Sequence, residues 1–491
     1  MSELKDLELL VRGPIPLLLV ESTEERRVVD LFTRVAGRIP GVPLFVWSVT
    51  EGLRRMDRGF TPQRHNAPPH EVLTHIKASG HPGIFLLLDF HPYLQEPTHV
   101  RLLKEIALAA EGQRQTVVLA SHRVEVPAEL QPLTARFRPA LPGLGELQRV
   151  VDNEASRWAR DNGPVRRDDH AVQLLVRNLS GLTLTDAHRL ARRAIQDDGA
   201  ITASDIPAIA RAKYELIGKD GILSFEFDVA RFDEVGGLRG LEHWLGQRRA
   251  AFLREPQAHK LDVPRGILLL GVQGCGKSLA AKAVAGSWGV PLLRLDFGRL
   301  YDKYVGETER NLRECLGTAE VMAPCVLWVD EIEKGLATGD TDGGTSRRVL
   351  GTLLTWMAEN ERPTFVVATA NDVRALPPEL VRKGRLDEIF FVDLPKPEVR
   401  ARIFEIHLRK REQDSSLFDL ERLASVSDGF SGAEIEQAVV SALYAAHAQD
   451  APLTTGHVLE EIQRTHPLSV FMAERVAELR LWAVDRTVPA D

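Results

Sequence analysis

A glycine-rich loop in the second half of the chain has the composition and spacing of a phosphate-binding site. It follows the apolar run Ile267 to Leu270, and its residues are, in order, Gly271, Val272, Gln273, Gly274, Cys275, Gly276, Lys277 and Ser278. Glycines let the backbone wrap around a phosphate with its N–H groups pointing inward, at the positive end of a helix that begins near Leu279. Lys277 would reach the β and γ phosphates of a nucleoside triphosphate, and Ser278 would offer its hydroxyl to Mg²⁺.

Two adjacent acids supply the second element of this chemistry. The apolar run Val326 to Val329 is followed directly by Asp330 and Glu331. A buried strand would deliver both carboxylates at its carboxyl end, beside the phosphate loop, where ligands bind in open α/β sheets. Asp330 would help to hold Mg²⁺, and Glu331 would orient and polarise an attacking water. A strand that simply precedes a charged helix start is the alternative interpretation.

The elements that must position these residues form an α/β pattern. Apolar runs that predict buried strands, separated by helical segments, are Ile267–Leu270, Pro291–Asp296, Cys325–Asp330 and Thr364–Ala368. A helical tail follows. Strands that alternate with helices predict a parallel sheet between helices, with a small helical subdomain after it.

The first half of the chain repeats the pattern without the glycines. Leu17 to Val20 corresponds to Leu268 to Gly271, and the loop position is occupied by Glu21 to Arg26, with Arg26 in place of Lys277. Further matched segments are Phe85–Asp89 with Leu327–Asp330 and Val117–Ser121 with Val366–Ala370. Carboxylates and missing backbone donors should abolish triphosphate binding there. The first half is therefore predicted to be a degenerate copy, and an unrelated α/β domain is the alternative.

Composition bounds the function only loosely. A chain of 491 residues is too long for one core, and a net charge of −7 disfavours a general binder of nucleic acid or membrane surfaces. The three cysteines show no metal-ligand spacing and suit a reducing compartment. No basic and apolar leader begins the sequence, and no apolar run reaches about 18 residues. We therefore expect a cytoplasmic protein with no membrane partner.

Further motifs follow one another as in a known family. They are Asp233 to Leu238, Asn371 after an apolar strand, the basic run Arg382 to Asp387, His407, and Gly432 to Glu434. With the phosphate loop and the acid pair, they resemble the AAA family of ATPases, in the clade of the proteasomal ATPases, valosin-containing protein and katanin. The resemblance covers about residues 232–465. It implies ATP and Mg²⁺ as ligands and ATP hydrolysis as the activity.

The resemblance also implies roles for single residues. Asn371 would be the sensor that holds the water or the γ phosphate, and Arg382 and Arg385 would be fingers that reach the nucleotide of a neighbouring subunit. An exposed basic turn is the alternative for these arginines. The catalytic set implied in this way is Lys277, Asp330, Glu331, Asn371, Arg382 and Arg385, with Ser278 and Asp330 as the metal ligands.

On the adenine side, the family pattern assigns Gly236 to the entry segment and Gly432 and Ala433 to a lid that closes on the base. His407 falls where family members place a histidine near the adenine, although a half-buried helical histidine is the alternative. Cys275 occupies a loop position usually filled by a small residue. Because it precedes a helix start, its thiol pKa could be lowered, which would make ATP binding redox-sensitive.

The whole chain resembles a narrower group within this family. Segments that carry the likeness are Val20–Arg26, Arg239–Leu245, Pro324–Glu331 and Leu386–Val392. They are similar to an uncharacterised AAA-domain family, found as a reading frame in algal plastids and in bacteria, whose substrate is not established. For organellar relatives the resemblance implies the plastid stroma as the location.

The predicted fold is α/β: a P-loop NTPase module of the AAA type with a small helical lid, preceded by a degenerate AAA-like α/β domain. The predicted division is a degenerate domain at 1–149, a lid-like helical subdomain at 150–216, a linker at 217–232, a large ATPase subdomain at 233–398, a small lid at 399–466 and a C-terminal helix at 467–491.

The residues that point to a class of substrate are Lys303, Tyr304 and Val305. They resemble the loop that lines the central pore of AAA hexamers. An aromatic side chain flanked by a cation and an aliphatic could grip an extended polypeptide without reading its sequence. A tyrosine packed in its own domain is the alternative.

The favoured function is an ATP-driven remodeller or unfoldase that threads an unknown protein client through a homo-oligomeric ring, a hexamer in the family. A ring is expected because Arg382 and Arg385 would have no phosphate of their own chain to meet. An ATP-dependent oligomerisation switch or assembly scaffold without threading is the alternative. A nucleic-acid motor is a third hypothesis, which the net charge disfavours.

Overall fold

A computed structural model describes residues 3–57, 62–217, 222–227, 229–258, 260–301, 308–336, 345–381 and 384–491. The chain divides into two compact units, residues 1–142 and 143–491. None of the helices in the described ranges has the length and apolar character needed to cross a membrane. Each unit is built on a mainly parallel sheet whose strands are buried on both faces, as the apolar runs in the sequence predict.

The first unit is a six-stranded sheet in the order β3-β2-β4-β5-β1-β6. Its strands are β1 (Leu17–Glu21), β2 (Leu44–Ser48), β3 (Gly52–Arg55), β4 (Gly83–Leu88), β5 (Gln115–Ser121) and β6 (Thr134–Phe137). Its helices are α1 (Glu3–Arg12), α2 (Glu25–Ala36), α3 (Pro69–Ser79) and α4 (Pro97–Gln113). Alternate strand residues enter two separate cores: Leu17 and Leu19 face one, and Leu18 and Val20 face the other.

The second unit begins with a helical subdomain. Its elements are α5 (Leu144–Asn162), β7 (Arg166–Arg167), α6 (Asp169–Leu179), α7 (Leu184–Gln196), β8 (Ala200–Ile201) and α8 (Asp205–Ile217). The expected boundary at residue 149 lies inside α5, and the two units meet earlier, between Pro142 and Gly143. The expected linker at 217–232 contains a strand, β9 (Leu223–Glu226), which pairs antiparallel with the edge of the following sheet.

The main sheet has the order β15-β14-β10-β13-β12-β11-β9. Its remaining strands are β10 (Gly266–Gly271), β11 (Leu292–Leu295), β12 (Cys325–Val329), β13 (Thr364–Ala370), β14 (Glu388–Val392) and β15 (Val488–Pro489). The helices around it are α9 (Arg239–Phe252), α10 (Lys277–Trp288), α11 (Phe297–Tyr301), α12 (Thr308–Met322), α13 (Ile332–Leu336), α14 (Thr345–Glu359) and α15 (Pro378–Val381). The four predicted strands are present, whereas β14 and β15 were not expected.

A small helical lid follows the sheet and has its own apolar core, which includes Phe404, Leu423 and Ile435. Its helices are α16 (Pro397–Arg409), α17 (Leu420–Val426), α18 (Gly432–Ala448) and α19 (Thr455–Arg464). The chain then forms α20 (Leu468–Phe471) and α21 (Ala473–Ala483) and returns to the main sheet as β15. The α/β fold with a lid is therefore confirmed.

The two sheets share a strand order. In the second unit five of the parallel strands run β14-β10-β13-β12-β11, and in the first unit the strands in the corresponding positions run β6-β1-β5-β4-β2. When these five strands are numbered in chain order within each unit, the first strand lies between the fourth and the fifth in both sheets. The strand order of the first unit is that expected of a degenerate copy.

One buried lysine marks the helical subdomain of the second unit. The Lys213 side chain is 0% exposed, and its Nζ donates a hydrogen bond of 2.7 Å to the carbonyl of Ser180, at the end of α6. A cation near a helix C-terminus is favourable. Burial nevertheless lowers the pKa of the Lys213 ammonium to about 7. The folded chain therefore loses this proton about three pH units before the unfolded chain does.

We predict that the pH dependence of the free energy of unfolding reflects the lowered pKa of Lys213. Between about pH 7 and pH 10 the unfolded lysine holds a proton that the folded one has lost, so the free energy of unfolding should rise with pH, by at most about 1.4 kcal/mol per unit. Lys213→Met should remove the part of that rise that comes from Lys213. Its thermal midpoint minus that of the wild type should therefore be largest near pH 7 and shrink toward pH 10. Lys5→Met, at an exposed lysine, is the control, and a pH-independent difference for Lys213→Met would contradict the assignment.

Candidate nucleotide site

The predicted phosphate loop joins β10 to α10 at the carboxyl edge of the main sheet. Gly274 and Gly276 have φ of +80° and +85°, a left-handed conformation that other residues adopt at a cost. Gly271 is needed for a different reason, because a Cβ there would lie far inside contact distance of the Val392 carbonyl oxygen. The glycine spacing in the sequence therefore reflects backbone geometry that this loop requires.

Lys277 begins α10 and turns back over the loop. Its Nζ donates to the carbonyls of Gly271 at 2.9 Å and Val272 at 2.8 Å. Burial lowers the pKa of the Lys277 ammonium to about 8. A buried cation supported by neutral carbonyls would gain much from a phosphate oxygen, since a charged partner compensates desolvation better. The lysine is thus suited to a phosphate ligand.

Cys275 does not have the environment of a reactive thiol. Burial raises the pKa of the Cys275 thiol to about 12, although it lies just before the start of α10. The expectation of a lowered thiol pKa is wrong, because desolvation of the thiolate outweighs the helix start and the nearby Lys277. The residue is a small side chain in a tight loop, and the redox hypothesis loses its support.

Asp330 leaves the end of β12 and is fixed on both carboxylate oxygens. Thr369, on the neighbouring strand β13, donates its hydroxyl to Oδ1 at 2.8 Å. Arg294, on β11, donates to Oδ2 at 3.0 Å, and its guanidinium lies over the Trp328 ring, 4.7 Å from the centroid. Arg294 and a bound Mg²⁺ would compete for the same oxygen. The carboxylate could hold the metal, with Ser278 on the loop as the second protein ligand.

Glu331 is held in an unusual backbone conformation. Its φ is +46°, and its N–H donates to the Thr369 hydroxyl oxygen at 2.9 Å. The Asn371 side chain donates to Glu331 Oε1 at 3.1 Å, and Lys334 forms an ion pair with Oε2. The predicted base and the predicted sensor are therefore in direct contact. Left-handed non-glycine residues cluster at functional sites, where the surroundings keep them in place.

A third acid, Glu333, lies beneath this pair. Its Oε1 accepts the backbone N–H of Asn371 at 2.9 Å, and its Oε2 is buried with no hydrogen-bond partner among the described residues. Burial raises the pKa of the Glu333 carboxyl. A protonated Oε2 would be the cheaper buried form. Glu333 therefore positions the Asn371 backbone.

The cavity beside the loop has a volume of about 1770 Å³. It brings together nearly all the predicted nucleotide residues, namely Gly236, Gln273, Gly274, Cys275, Gly276, Lys277, Ser278, Leu279, Asp330, Glu331, Asn371, His407, Gly432 and Ala433. Gly271 and Val272 enter the site through the carbonyls that bind Lys277. The lid contacts the loop directly, because the N–H of Ala433 donates to the Gly274 carbonyl at 3.1 Å.

His407 lies on the lid side of this cavity. It is half-buried, its Nδ1 is 3.5 Å from Glu436 Oε1, and Arg411 contacts the same ring. Burial lowers the pKa of the His407 imidazole. Gly236 lies against the same helix, α16, because a Cβ there would collide with the Ile403 side chain. Both residues line the wall on which a base could stack.

Arg385 lies near the amino ends of the parallel strands, whereas the phosphate loop lies at their carboxyl ends. It precedes β14, whose first residue Glu388 pairs with Ile267 near the amino end of β10. The phosphate loop follows the carboxyl end of β10, at least about 13 Å away along the strand. Arg385 Nη1 donates to the Glu379 carbonyl at 2.6 Å. An arginine side chain extends roughly 7 Å, so Arg385 cannot reach the phosphates of its own chain.

Two other sets of predicted residues cannot be placed. Arg382, the second predicted finger, lies outside the described residues, and so do Lys303, Tyr304 and Val305 of the predicted pore loop. Their roles remain predictions from the sequence.

Family models cover most of the chain. Residues 267–394 match the model of the ATPase family associated with various cellular activities (AAA), and residues 418–461 match an AAA+ lid domain. Residues 3–138 and 145–220 match the N-terminal and second domains of SpoVK-like AAA ATPases. A relative from Guillardia theta, "Uncharacterized AAA domain-containing protein ycf46", is 34% identical over 490 residues, 98% of this chain and 95% of the relative.

The chain belongs to the AAA ATPase family. A protein of the same name from Trieres chinensis is also 34% identical, over 483 residues that cover 97% of this chain and 96% of the relative. The proteasome-activating nucleotidase of Aeropyrum pernix is 36% identical over 225 residues, 44% of this chain and 54% of that protein. This AAA ATPase is therefore an ATP-hydrolysing enzyme, and the likeness to uncharacterised relatives extends over both of its units.

Three residues that contact the predicted catalytic residues of this AAA ATPase were not predicted from the sequence. Thr369 and Arg294 contact Asp330 across neighbouring strands, Glu333 contacts Asn371 from α13, and no motif singles them out. A threonine at the carboxyl end of an apolar strand, two residues before Asn371, was the available signal. The C-terminal segment was missed too: Ala490 pairs with Phe391, and Arg480 and Asp491 line the cavity.

We predict that the Thr369 hydroxyl is required for turnover by the AAA ATPase but not for ATP binding. Thr369→Val should leave the Kd for ATP nearly unchanged and lower kcat by about 10-fold to 100-fold, because Asp330 and the Glu331 N–H both lose their partner. Thr364→Val makes the same change at the opposite end of β13 and should have little effect. Steady-state ATPase assays and nucleotide titrations of both variants check this, and equal turnover in the two would refute it.

Proposed function

We propose that this chain is a ring-forming AAA ATPase that remodels or unfolds protein clients by drawing them through a central pore. The observation that carries the proposal is the position of Arg385. Because Arg385 is held at the amino edge of its own sheet, it can complete only the site of a neighbouring subunit. Head-to-tail contacts of that kind close into rings. The relatives of the family support a hexamer.

Within each site the proposed roles follow the geometry. Lys277 and the N–H groups of the loop would hold the phosphates, and Ser278 and Asp330 would hold Mg²⁺. Glu331 accepts the proton of the attacking water, and Asn371 fixes the carboxylate that does so. Charge on the transferred phosphoryl group would be met by Arg382 and Arg385 of the neighbouring subunit, a contribution of about 10³ to 10⁵ in rate in comparable systems.

A conformational change on ATP hydrolysis would reach the lid through its direct contact with the phosphate loop. The Ala433 N–H bonds the Gly274 carbonyl, so the first turn of α18 is attached to the phosphate loop itself. Gly274 has little room to move against the lid, since a Cβ there would meet Ser431 Oγ at 2.8 Å. A change in the loop as phosphate leaves would therefore displace the lid.

A protein client is favoured over other substrates. One relative, from Aeropyrum pernix, is named a proteasome-activating nucleotidase, and the proteasome is a protease. The resemblance of Lys303, Tyr304 and Val305 to a polypeptide-gripping pore loop supports the same class. The net charge of −7 gives no support to a nucleic-acid motor.

The test uses rings arrested with ATP. Glu331→Gln should bind ATP, hydrolyse it at least about 100-fold more slowly and accumulate as rings, since glutamine cannot take up the proton. These rings should bind a fluorescently labelled, permanently unfolded polypeptide, measured by anisotropy. Adding Tyr304→Ala should abolish that binding while size-exclusion chromatography still shows the ring.

Tyr444→Ala, at a tyrosine that is 73% exposed on the lid, is the matched control and should leave binding intact. If the polypeptide binds equally well after Tyr304→Ala, threading is wrong and an ATP-dependent scaffold becomes the better account. If Glu331→Gln hydrolyses ATP normally, the assignment of the water-activating carboxylate is wrong.

A further inference from the structure

A cluster of metal-ligand side chains lies in the first unit and shares no residue with the nucleotide site. It comprises Asp89, His91 and His122, whose candidate ligand atoms all lie within 4.8 Å of one another. Asp89 directly follows β4 and His122 directly follows β5. These two strands are neighbours in the sheet, with Leu88 paired to Ala120. The carboxyl ends of two parallel strands therefore bring the three side chains together.

A buried hydroxyl lies at the centre of the cluster. Ser121 Oγ donates to Asp89 Oδ1 at 2.9 Å, and it lies 2.8 Å from His91 Nδ1 and 3.3 Å from His122 Nδ1. Ser121 is only 4% exposed, whereas the Asp89 side chain is 68% exposed and that of His91 30%. The hydroxyl therefore supports the three ligand atoms from the protein side, and their other side faces solvent.

The backbone and the rings hold this arrangement. Asp89 has φ of +50°, and its N–H donates to the Ala120 carbonyl at 2.9 Å. An aspartate tolerates this left-handed conformation better than most residues, but still at a cost. The His91 and His122 rings meet edge to face with centroids 5.0 Å apart. The carboxylate and both imidazoles are thus placed by neighbouring main chain and side chains.

The same hydroxyl–carboxylate bond recurs in the nucleotide site. There, Thr369 at the end of β13 donates to Asp330, which follows β12. In the first unit, Ser121 at the end of β5 donates to Asp89, which follows β4. What differs is the partner set, because two histidines accompany Asp89 and none of the contacts described for Asp330 involves a histidine. Oxygen ligands suit Mg²⁺, whereas imidazoles with one carboxylate suit a transition metal.

We propose that Asp89, His91 and His122 form a mononuclear site for a divalent transition-metal ion of the Zn²⁺ class, with Ser121 orienting the Asp89 carboxylate. Three protein ligands leave one position for water, as in open zinc sites. Ligand atoms around a tetrahedral ion lie about 3.4 Å apart, and Asp89 Oδ1 and His91 Nδ1 are now 4.0 Å apart. Small side-chain rotations close that gap. The metal ties the ends of β4 and β5 at the position where the other unit uses Mg²⁺ with nucleotide.

The test is metal binding by the full chain after treatment with a chelator, in excess Mg²⁺ and without nucleotide. Zn²⁺ titrated by calorimetry should bind one ion per chain with a Kd below about 1 µM and should raise the thermal midpoint. Co²⁺ in the same site should give the absorption bands of a tetrahedral ion. His122→Ala and Asp89→Asn should each weaken Zn²⁺ binding at least about 100-fold and lose those bands.

The controls separate this site from adventitious binding. His81→Ala removes an exposed histidine of the same unit and should change nothing. Ser121→Ala should weaken binding by only about 10-fold, the usual effect of a group that orients a ligand. A wild-type chain that binds no Zn²⁺, or one whose Zn²⁺ affinity is unchanged by His122→Ala and Asp89→Asn, overturns the proposal. The outcome does not depend on ATPase activity.

Discussion

The nucleotide site depends on a single hydroxyl between two strands. Thr369 donates to the Asp330 side chain and accepts the N–H of Glu331, so both of its hydrogen-bonding functions are used at the end of β12. That bond stabilises the left-handed backbone of Glu331, which in turn places the carboxylate against Asn371. Such a network is strong when complete and costly when one member is removed. The acid pair, the sensor and the sheet edge therefore act as one rigid part.

The groups that could contact nucleotide or metal are arranged around that network. Lys277 rests on neutral carbonyls, Arg294 shares the Asp330 carboxylate, and the lid is bound to the phosphate loop through Gly274 and Ala433. Each of these contacts can be exchanged for a contact with nucleotide or metal at modest cost. In contrast, Arg385 is bound to the far edge of its own sheet and cannot join them. In the proposed ring, one subunit would therefore supply a prepared but incomplete site.

The first unit has the same strand order with different chemistry at its edge. Where the second unit has its phosphate loop, the Glu21 carboxylate is paired with Arg138 at 2.8 Å and Arg136 at 3.5 Å. Two arginines beside the loop position are therefore already paired with a carboxylate of the fold. The neighbouring strand ends carry Asp89, His91 and His122 instead. The two units thus illustrate how one sheet edge can hold different ligands when only the side chains at the strand ends change.

Much of this could be predicted from the sequence because it is local. The phosphate loop, the acid pair and the buried strands are continuous runs whose residue types suffice to indicate them. Thr369, Arg294 and Glu333 could not be predicted in the same way, since their roles arise from pairing between strands that are distant in sequence. The Cys275 thiol was misjudged because burial, which a short motif does not reveal, outweighed the helix start. β15 was missed because two residues of strand are too short to show a period.

The central claim is that ATP hydrolysis requires a site shared by two subunits. It is tested most directly by mixing two inactive variants, Lys277→Ala, which keeps its arginines but loses ATP binding, and Arg382→Ala/Arg385→Ala, which keeps ATP binding but offers no finger. Mixed in equal amounts, they should recover ATPase activity at about a quarter of the interfaces, where an intact loop meets intact arginines. If the mixture stays as inactive as its components while mixed rings form, the site is not completed by a neighbour and the account fails.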